Sequence, residues 1–228
     1  MVQSLMDNWD AAAANRAALY GWLASLFSQE LTQEQYQAYG RGDAAGLLDL
    51  LAGIGLEQES ARLRQAIAGF GQQGLDFIDL KSDFAQLFLM DGKHSAMPYA
   101  SFYLEASQQL YGDAEKRMRE FLAKSGLRVD QDFREPADHL SVYLALVQKW
   151  VQQPAGQREQ MAAAAREQAV FLQDALLCWL PAFVERTEAA VGLGHDFYPA
   201  LARLLLVFVR EDAAGLQELA RELEGIAH

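Results

Sequence analysis

The sequence predicts an all-α fold, and three observations carry that prediction. Apolar residues recur at intervals of three and four, as in Leu19, Trp22, Leu23, Leu26 and Phe27. No stretch shows the strict apolar–polar alternation of a half-buried strand, and no internal repeat is present. Glycine and proline fall between the periodic segments, at Gly40, Gly42, Gly53, Gly55, Gly126, Pro154, Gly156, Gly192 and Gly194. The expected architecture is a bundle-like globule of about ten helices in two halves, residues 1–126 and 136–228, joined by a hinge at 127–135.

The first helix covers residues 8–28, where Ala11 to Ala14 lend intrinsic propensity. Thr32 followed by Gln35 has capping-box spacing and starts a short helix through Tyr36 and Tyr39. Residues 43–54 and 57–69 read as two more helices. Gly74 opens a stronger one, with Phe77, Leu80, Phe84, Leu87 and Phe88 on one side, that ends at Asp91 and Gly92. Ser107 to Ser125 is a charged helix with Leu110, Met118, Phe121 and Leu122 inward, stopped by Gly126 in a left-handed cap. After a polar connector, Pro136 suits a first helical position, since its missing N–H would find no partner there. That helix continues through Leu140, Tyr143, Leu144 and Val147 to Gln152. Pro154 and Gly156 mark a turn, and Gln157 to Trp179 is an alanine-rich helix that Pro181 must kink or interrupt. A nearly all-apolar helix follows over about 196–210, then a separate amphipathic one over 212–225.

Composition narrows the function. The 228 residues are 51% hydrophobic, which describes a folded globule. With 31 acidic against 19 basic residues the net charge is −12, the wrong sign for a nucleic-acid footprint and the right one for a basic partner. Cys178 is the single cysteine; set in Leu176-Leu177-Cys178-Trp179, it is expected as buried filler in a reducing compartment. Residues 1–10 lack a basic segment followed by an apolar run, no stretch reaches about 18 apolar residues, and no two arginines are adjacent. The expectation is a cytoplasmic protein without membrane insertion.

Catalytic signatures are weak. No G-x-x-x-x-G-K-[ST] phosphate loop exists, and the four histidines supply none of the E-x-x-H pairs of a di-iron bundle. No nucleophile elbow appears. Glu135 and His139 stand at i, i+4, two ligands where a metal site needs three or four. No metal and no catalytic residue is expected; an all-α metal-dependent hydrolase using Glu135, Asp138 and His139 is the rival of a different class.

Two stretches concentrate candidate binding residues. Glu135-Pro136-Ala137-Asp138-His139-Leu140 reads either as a helix start with an acidic first turn or as a polar hot spot for a partner. The loop Lys93 to Ser101 and the residues after it hold Pro98, Tyr99, Ser101, Phe102 and Tyr103, an aromatic density that fits a core plug or the lining of a peptide site. The connector before Pro136 also permits exchange of halves between two chains, giving a domain-exchanged homodimer.

The stretch Glu135 to Leu140 resembles the E-P-x-D-H signature of the TorD/DmsD family of redox-enzyme maturation chaperones. Leu19-Tyr20-Gly21-Trp22-Leu23-Ala24-Ser25-Leu26-Phe27 resembles that family's first-helix motif, and Pro98-Tyr99-Ala100-Ser101-Phe102-Tyr103 its P-Y-x-S-x-Y loop. Leu87-Phe88-Leu89-Met90, Trp179-Leu180-Pro181-Ala182-Phe183-Val184, and Phe197-Tyr198 with Leu204-Leu205-Leu206-Val207 are similar to the TorD branch. The resemblance spans roughly residues 16–210 in order. It implies a cytoplasmic, non-enzymatic chaperone for trimethylamine N-oxide reductase or another molybdenum reductase, such as one for dimethyl sulfoxide or nitrate. Such a chaperone holds the client's twin-arginine signal peptide and keeps the apoenzyme open for molybdenum cofactor insertion. It implies signal-peptide or client contacts at Pro98, Tyr99, Ser101, Phe102, Tyr103, Glu135, Pro136, Asp138 and His139. It also implies weak guanine nucleotide binding, for which the chain has no motif.

Overall fold

The computed structural model describes residues 2–72, 76–90, 95–105, 111–128, 135–153 and 158–225. The fold is all-α. Its helices are α1 (Val2–Ser28), α2 (Gln33–Gly40), α3 (Ala45–Gly53), α4 (Glu57–Ala68), α5 (Phe77–Phe84), α6 (Ala100–Leu104), α7 (Asp113–Lys124), α8 (Leu140–Val151), α9 (Arg158–Phe171), α10 (Leu180–Glu188) and α11 (Phe197–Gly225). Two π-helical segments, Ala85–Leu89 and Leu172–Leu176, continue α5 and α9. Among the described residues the isolated strand-like pairing is one antiparallel bridge, Tyr99 with His139. No helix among them is long and apolar enough to cross a membrane.

The helices gather into two compact units. The first takes Met1–Ser28, Tyr99–Trp179 and Arg210–His228; the second takes Gln29–Pro98 and Leu180–Val209. The hinge at 127–135 is a different cut of the chain, and its residues 129–134 lie outside the described ones. So do the expected helix boundaries at Gly74, at Asp91 with Gly92 and at Ser107, and the turn at Pro154 and Gly156.

In the first unit α1 lies along α8. Gly21 faces Gln148 of α8: a Cβ there would stand 2.4 Å from Nε2 and push that flexible side chain aside. α11 is tied to α1 as well: the Arg16 guanidinium donates to both Asp212 oxygens, at 2.6 and 2.9 Å, and the Tyr20 hydroxyl donates to Oδ2 at 2.7 Å. Burial, and then the Asp212 charge, raise the Tyr20 phenol well above its ordinary pKa. The helix break expected between residues 210 and 212 is absent. Glu211 and Asp212 are not helix breakers, and the Asp212 carboxylate is spent on α1 rather than on capping a new helix.

Aromatic rings fill the second unit. Phe84, Phe88 and Tyr198 meet edge to face with centroids 5.1–5.5 Å apart, and Phe88 stacks on Phe183 at 5.9 Å. The buried Asp83 carboxylate accepts the N–H groups of Gly194 and His195, each at 2.8 Å, and so fixes the turn before α11. Burial raises the Asp83 pKa; the two N–H groups oppose it. Arg62 donates to both Asp196 oxygens at 2.8 Å and to Glu188 at 2.6 Å, tying α4 to α10 and to the start of α11. Thr32 caps α2 in the expected box with Gln35, and Gly126 follows α7 with φ 68°, a conformation open to glycine at little cost.

Candidate client-binding site

The structure brings Tyr99 and the residues after it together with the Glu135 to Leu140 stretch inside the first unit; Pro98 falls in the second. The Tyr99–His139 bridge sets the chain before α6 against the chain before α8. Ala100 donates its N–H to the Asp138 carbonyl at 3.0 Å, and Ser101 donates its N–H to Asp138 Oδ2 at 2.8 Å. The Tyr99 hydroxyl donates to Glu135 Oε2 at 2.5 Å, and its ring meets the His139 ring edge-on at 5.0 Å. Burial first, then the bond to Glu135, push the Tyr99 pKa up. Phe102 packs on Tyr103, which stacks on Trp179 at 5.7 Å.

This cluster is interior. Asp138 and Ser101 are 0% exposed, His139 4%, and Tyr99 and Phe102 6% each. Pro98 and Pro136 are also buried, while Glu135 and Tyr103 are half-buried.

Pro136 is not the first helical residue. His139 N–H closes a turn on the Pro136 carbonyl at 3.1 Å, and the bridge holds His139 extended at ψ 138°, so α8 begins at Leu140. His139 is instead the cap. Its Nδ1 accepts the Ser141 N–H at 3.2 Å and lies 2.8 Å from Ser141 Oγ. Burial lowers its pKa to about 4. An Nδ1 that accepts an amide proton also calls for the neutral ring with hydrogen on Nε2.

Glu135 and His139 do not meet as an i, i+4 pair, because Tyr99 takes the Glu135 carboxylate. The Glu135 carboxylate accepts from Tyr99, Asp138 Oδ2 from Ser101 N–H, and His139 Nδ1 from Ser141 N–H. Among the described residues no group of three or more His, Cys, Asp or Glu could hold a metal ion.

The open surface of this unit lies elsewhere. A groove of about 1020 Å³ runs between α7, α8 and α9 with its π continuation. Met118, Phe121, Lys124 and Ser125 line it from α7; Tyr143 and Trp150 come from α8; Val170, Phe171, Asp174 and Ala175 come from the opposite wall. Phe171 is the centre of the floor. Phe121 meets it edge-on at 5.2 Å, Trp150 at 5.7 Å, and Tyr143 lies at 6.0 Å. Leu104, Phe121 and Val170 on the rim are 40%, 37% and 52% exposed. π-helical turns are rare and recur at functional sites, and here one forms the wall that carries Asp174 and Ala175.

Cys178 lines the same groove and is exposed, not buried filler. The chain turns out of helical geometry at 177–179 ahead of Pro181, and Trp179 takes the inward position, donating Nε1–H to the Ala175 carbonyl at 3.1 Å. Partial burial nevertheless raises the Cys178 pKa.

Sequence reasoning missed this groove. Phe121, expected inward, is instead 37% exposed, between Arg117 and Lys124 on one face of α7.

The first unit thus combines an interior polar brace with an open groove whose rim is apolar and exposed. Residues 52–185 match the family model described as nitrate reductase delta subunit. The chain is 41% identical over 224 residues to the chaperone protein TorD of Psychrobacter sp. (strain PRwf-1), covering 94% of this chain and 97% of that protein. It is 34% identical over 218 residues to the chaperone protein TorD of Vibrio vulnificus (strain YJ016), covering 92% and 98%. A solved structure from Archaeoglobus fulgidus, of a chain assigned to redox enzyme maturation, shares the fold with a TM-score of 0.51 at 22% identity, over 86% of this chain and 93% of that one. The chain belongs to the TorD family of redox-enzyme maturation chaperones.

Proposed function

We propose that this protein is a cytoplasmic chaperone for trimethylamine N-oxide reductase. It holds the apoenzyme and its twin-arginine signal peptide until the molybdenum cofactor is inserted. The groove between α7, α8 and α9 is the observation that carries this reading. It offers exposed apolar area of the kind that marks protein-binding surfaces. The helix-flanked shape suits the apolar stretch of a client segment. Family membership and the net charge of −12 support a basic client sequence. In this reading Tyr99, Ser101, Phe102, Asp138 and His139 act behind the groove, by fixing where α8 starts and so where Tyr143 and Trp150 stand.

The test is calorimetric titration of the trimethylamine N-oxide reductase signal peptide into the full chain. The description of the matching family model favours trying a nitrate reductase peptide beside it. We expect micromolar binding, about −8 kcal/mol, weakened at least tenfold by Phe121→Ser with Val170→Ser. Failure to bind every such peptide and the apoenzyme would sink the chaperone assignment. Binding that ignores the groove variant would move the site elsewhere.

A further inference from the structure

The two walls of the groove carry opposite charge. Arg117 and Lys124 stand on α7, seven residues apart; Glu167 and Asp174 stand on the facing wall, also seven apart. All four are exposed, and none makes an ion pair among the described residues. A fifth lining charge, Arg166, is already paired with Glu224.

Their levels can be read from contacts across the groove. Ala114, at the start of α7, donates its N–H to Glu105, two residues after the Tyr103 that stacks on Trp179, so Arg117 lies toward the Cys178 end, as does Asp174, one turn before Cys178. Phe121 meets Phe171 in the middle. One more step along each helix, at about 1.5 Å per residue, places Lys124 and Glu167 at the other end, roughly 10 Å away. Each level therefore presents a cation on the α7 side and a carboxylate on the α9 side, across an aromatic floor.

The geometry points to a specific occupant: a client helix with an apolar stripe flanked by a basic edge and an acidic edge. The basic edge lies on Glu167 and Asp174, the acidic edge on Arg117 and Lys124. This inference rests on the client-binding reading and deepens it. A helix with one edge of each sign pairs with both walls in one direction only, so the walls set the orientation of the bound segment as well as its register. An arginine-rich segment with no carboxylates would leave Arg117 and Lys124 facing like charge, a cost that specific interfaces use to reject partners.

Three synthetic helical peptides with the same leucine and phenylalanine stripe test this. One carries a lysine edge and a glutamate edge, one has both edges lysine, and one has both edges glutamate. Binding to the full chain is read by fluorescence anisotropy at low salt. Occupancy of the groove is read independently from the rate at which Cys178, the single cysteine of the chain, reacts with a maleimide.

We expect the mixed-edge peptide to bind at least fivefold tighter than either other and to slow Cys178 labelling. Arg117→Glu with Lys124→Glu should make the all-lysine peptide the tightest, and Glu167→Lys with Asp174→Lys the all-glutamate one. The same peptide order in wild type and both variants would overturn the inference, as would an all-lysine peptide binding tightest to wild type. Mixed-edge binding that leaves Cys178 labelling unchanged would also overturn it. Capture of the apo reductase is measured alongside. Capture unaffected by the wall variants removes this inference and leaves the chaperone function; no capture by the wild-type chain removes that function whatever the peptides do.

Discussion

Asp138 has no exposed surface, yet among the described residues only one of its carboxylate oxygens has a hydrogen-bond partner. That oxygen serves the Ser101 N–H, which has nowhere else to go in the interior. Asp138→Asn keeps an acceptor in place and should leave stability close to wild type. Asp138→Ala strands the amide, a loss of about 1–3 kcal/mol. Urea unfolding of the two variants separates them; equal losses would mean that the charge, not the acceptor, matters.

His139 beside it makes a second test. Its folded pKa, about 4, lies below the ordinary 6.5 because burial disfavours the charged ring. The unfolded chain therefore binds more protons between these values, and stability falls as pH drops from about 6.5 to about 4, then levels off. The whole span is on the order of 3 kcal/mol. His139→Asn keeps a helix cap while removing the titration. The wild-type minus variant difference in unfolding free energy should shrink over that window, and a flat difference would refute the neutral cap.

At the scale of elements, Asp212 shows what a mid-helix carboxylate can do. It sits in α11 between Arg16 and Tyr20 of α1, with Arg16 and Asp212 side chains only 13% and 7% exposed. Asp212→Ala leaves a partly buried guanidinium without its carboxylate, at a cost of about 3 kcal/mol. Arg16→Leu together with Asp212→Leu should restore much of that loss in thermal or urea unfolding. A single variant as stable as wild type would make the pair ornamental.

The same helix shows where the sequence was legible. Features written in local chemistry could be read directly: the Thr32–Gln35 box, the Gly126 cap, the apolar stripe of α1 and the interruption near Pro181. Features decided by distant partners could not. The continuity of α11 depends on α1, and the start of α8 at Leu140 depends on a bridge to Tyr99, forty residues away in sequence. The residues of the E-P-x-D-H stretch stood out because several polar groups crowd one short segment, but their inward direction is a tertiary fact. The groove escaped because its rings come one or two at a time from three helices, each an ordinary amphipathic position in its own helix.

For the whole molecule the open question is where the net charge of −12 acts. The groove itself is close to balanced, with Arg117, Lys124 and Arg166 against Glu167 and Asp174. An acidic exterior around a balanced groove should attract a basic client segment from a distance, before the wall charges orient it. Long-range attraction of this kind speeds encounter and is screened over about 10 Å at 0.1 M salt. Raising salt from about 0.02 to 0.5 M should therefore slow association of a twin-arginine signal peptide by roughly tenfold. Dissociation, governed mainly by apolar contact with Phe121, Trp150 and Val170, should change less than association. Stopped-flow fluorescence at several salt concentrations measures both rates. Salt dependence carried mainly by dissociation instead would mean that charge, more than apolar contact, retains the client.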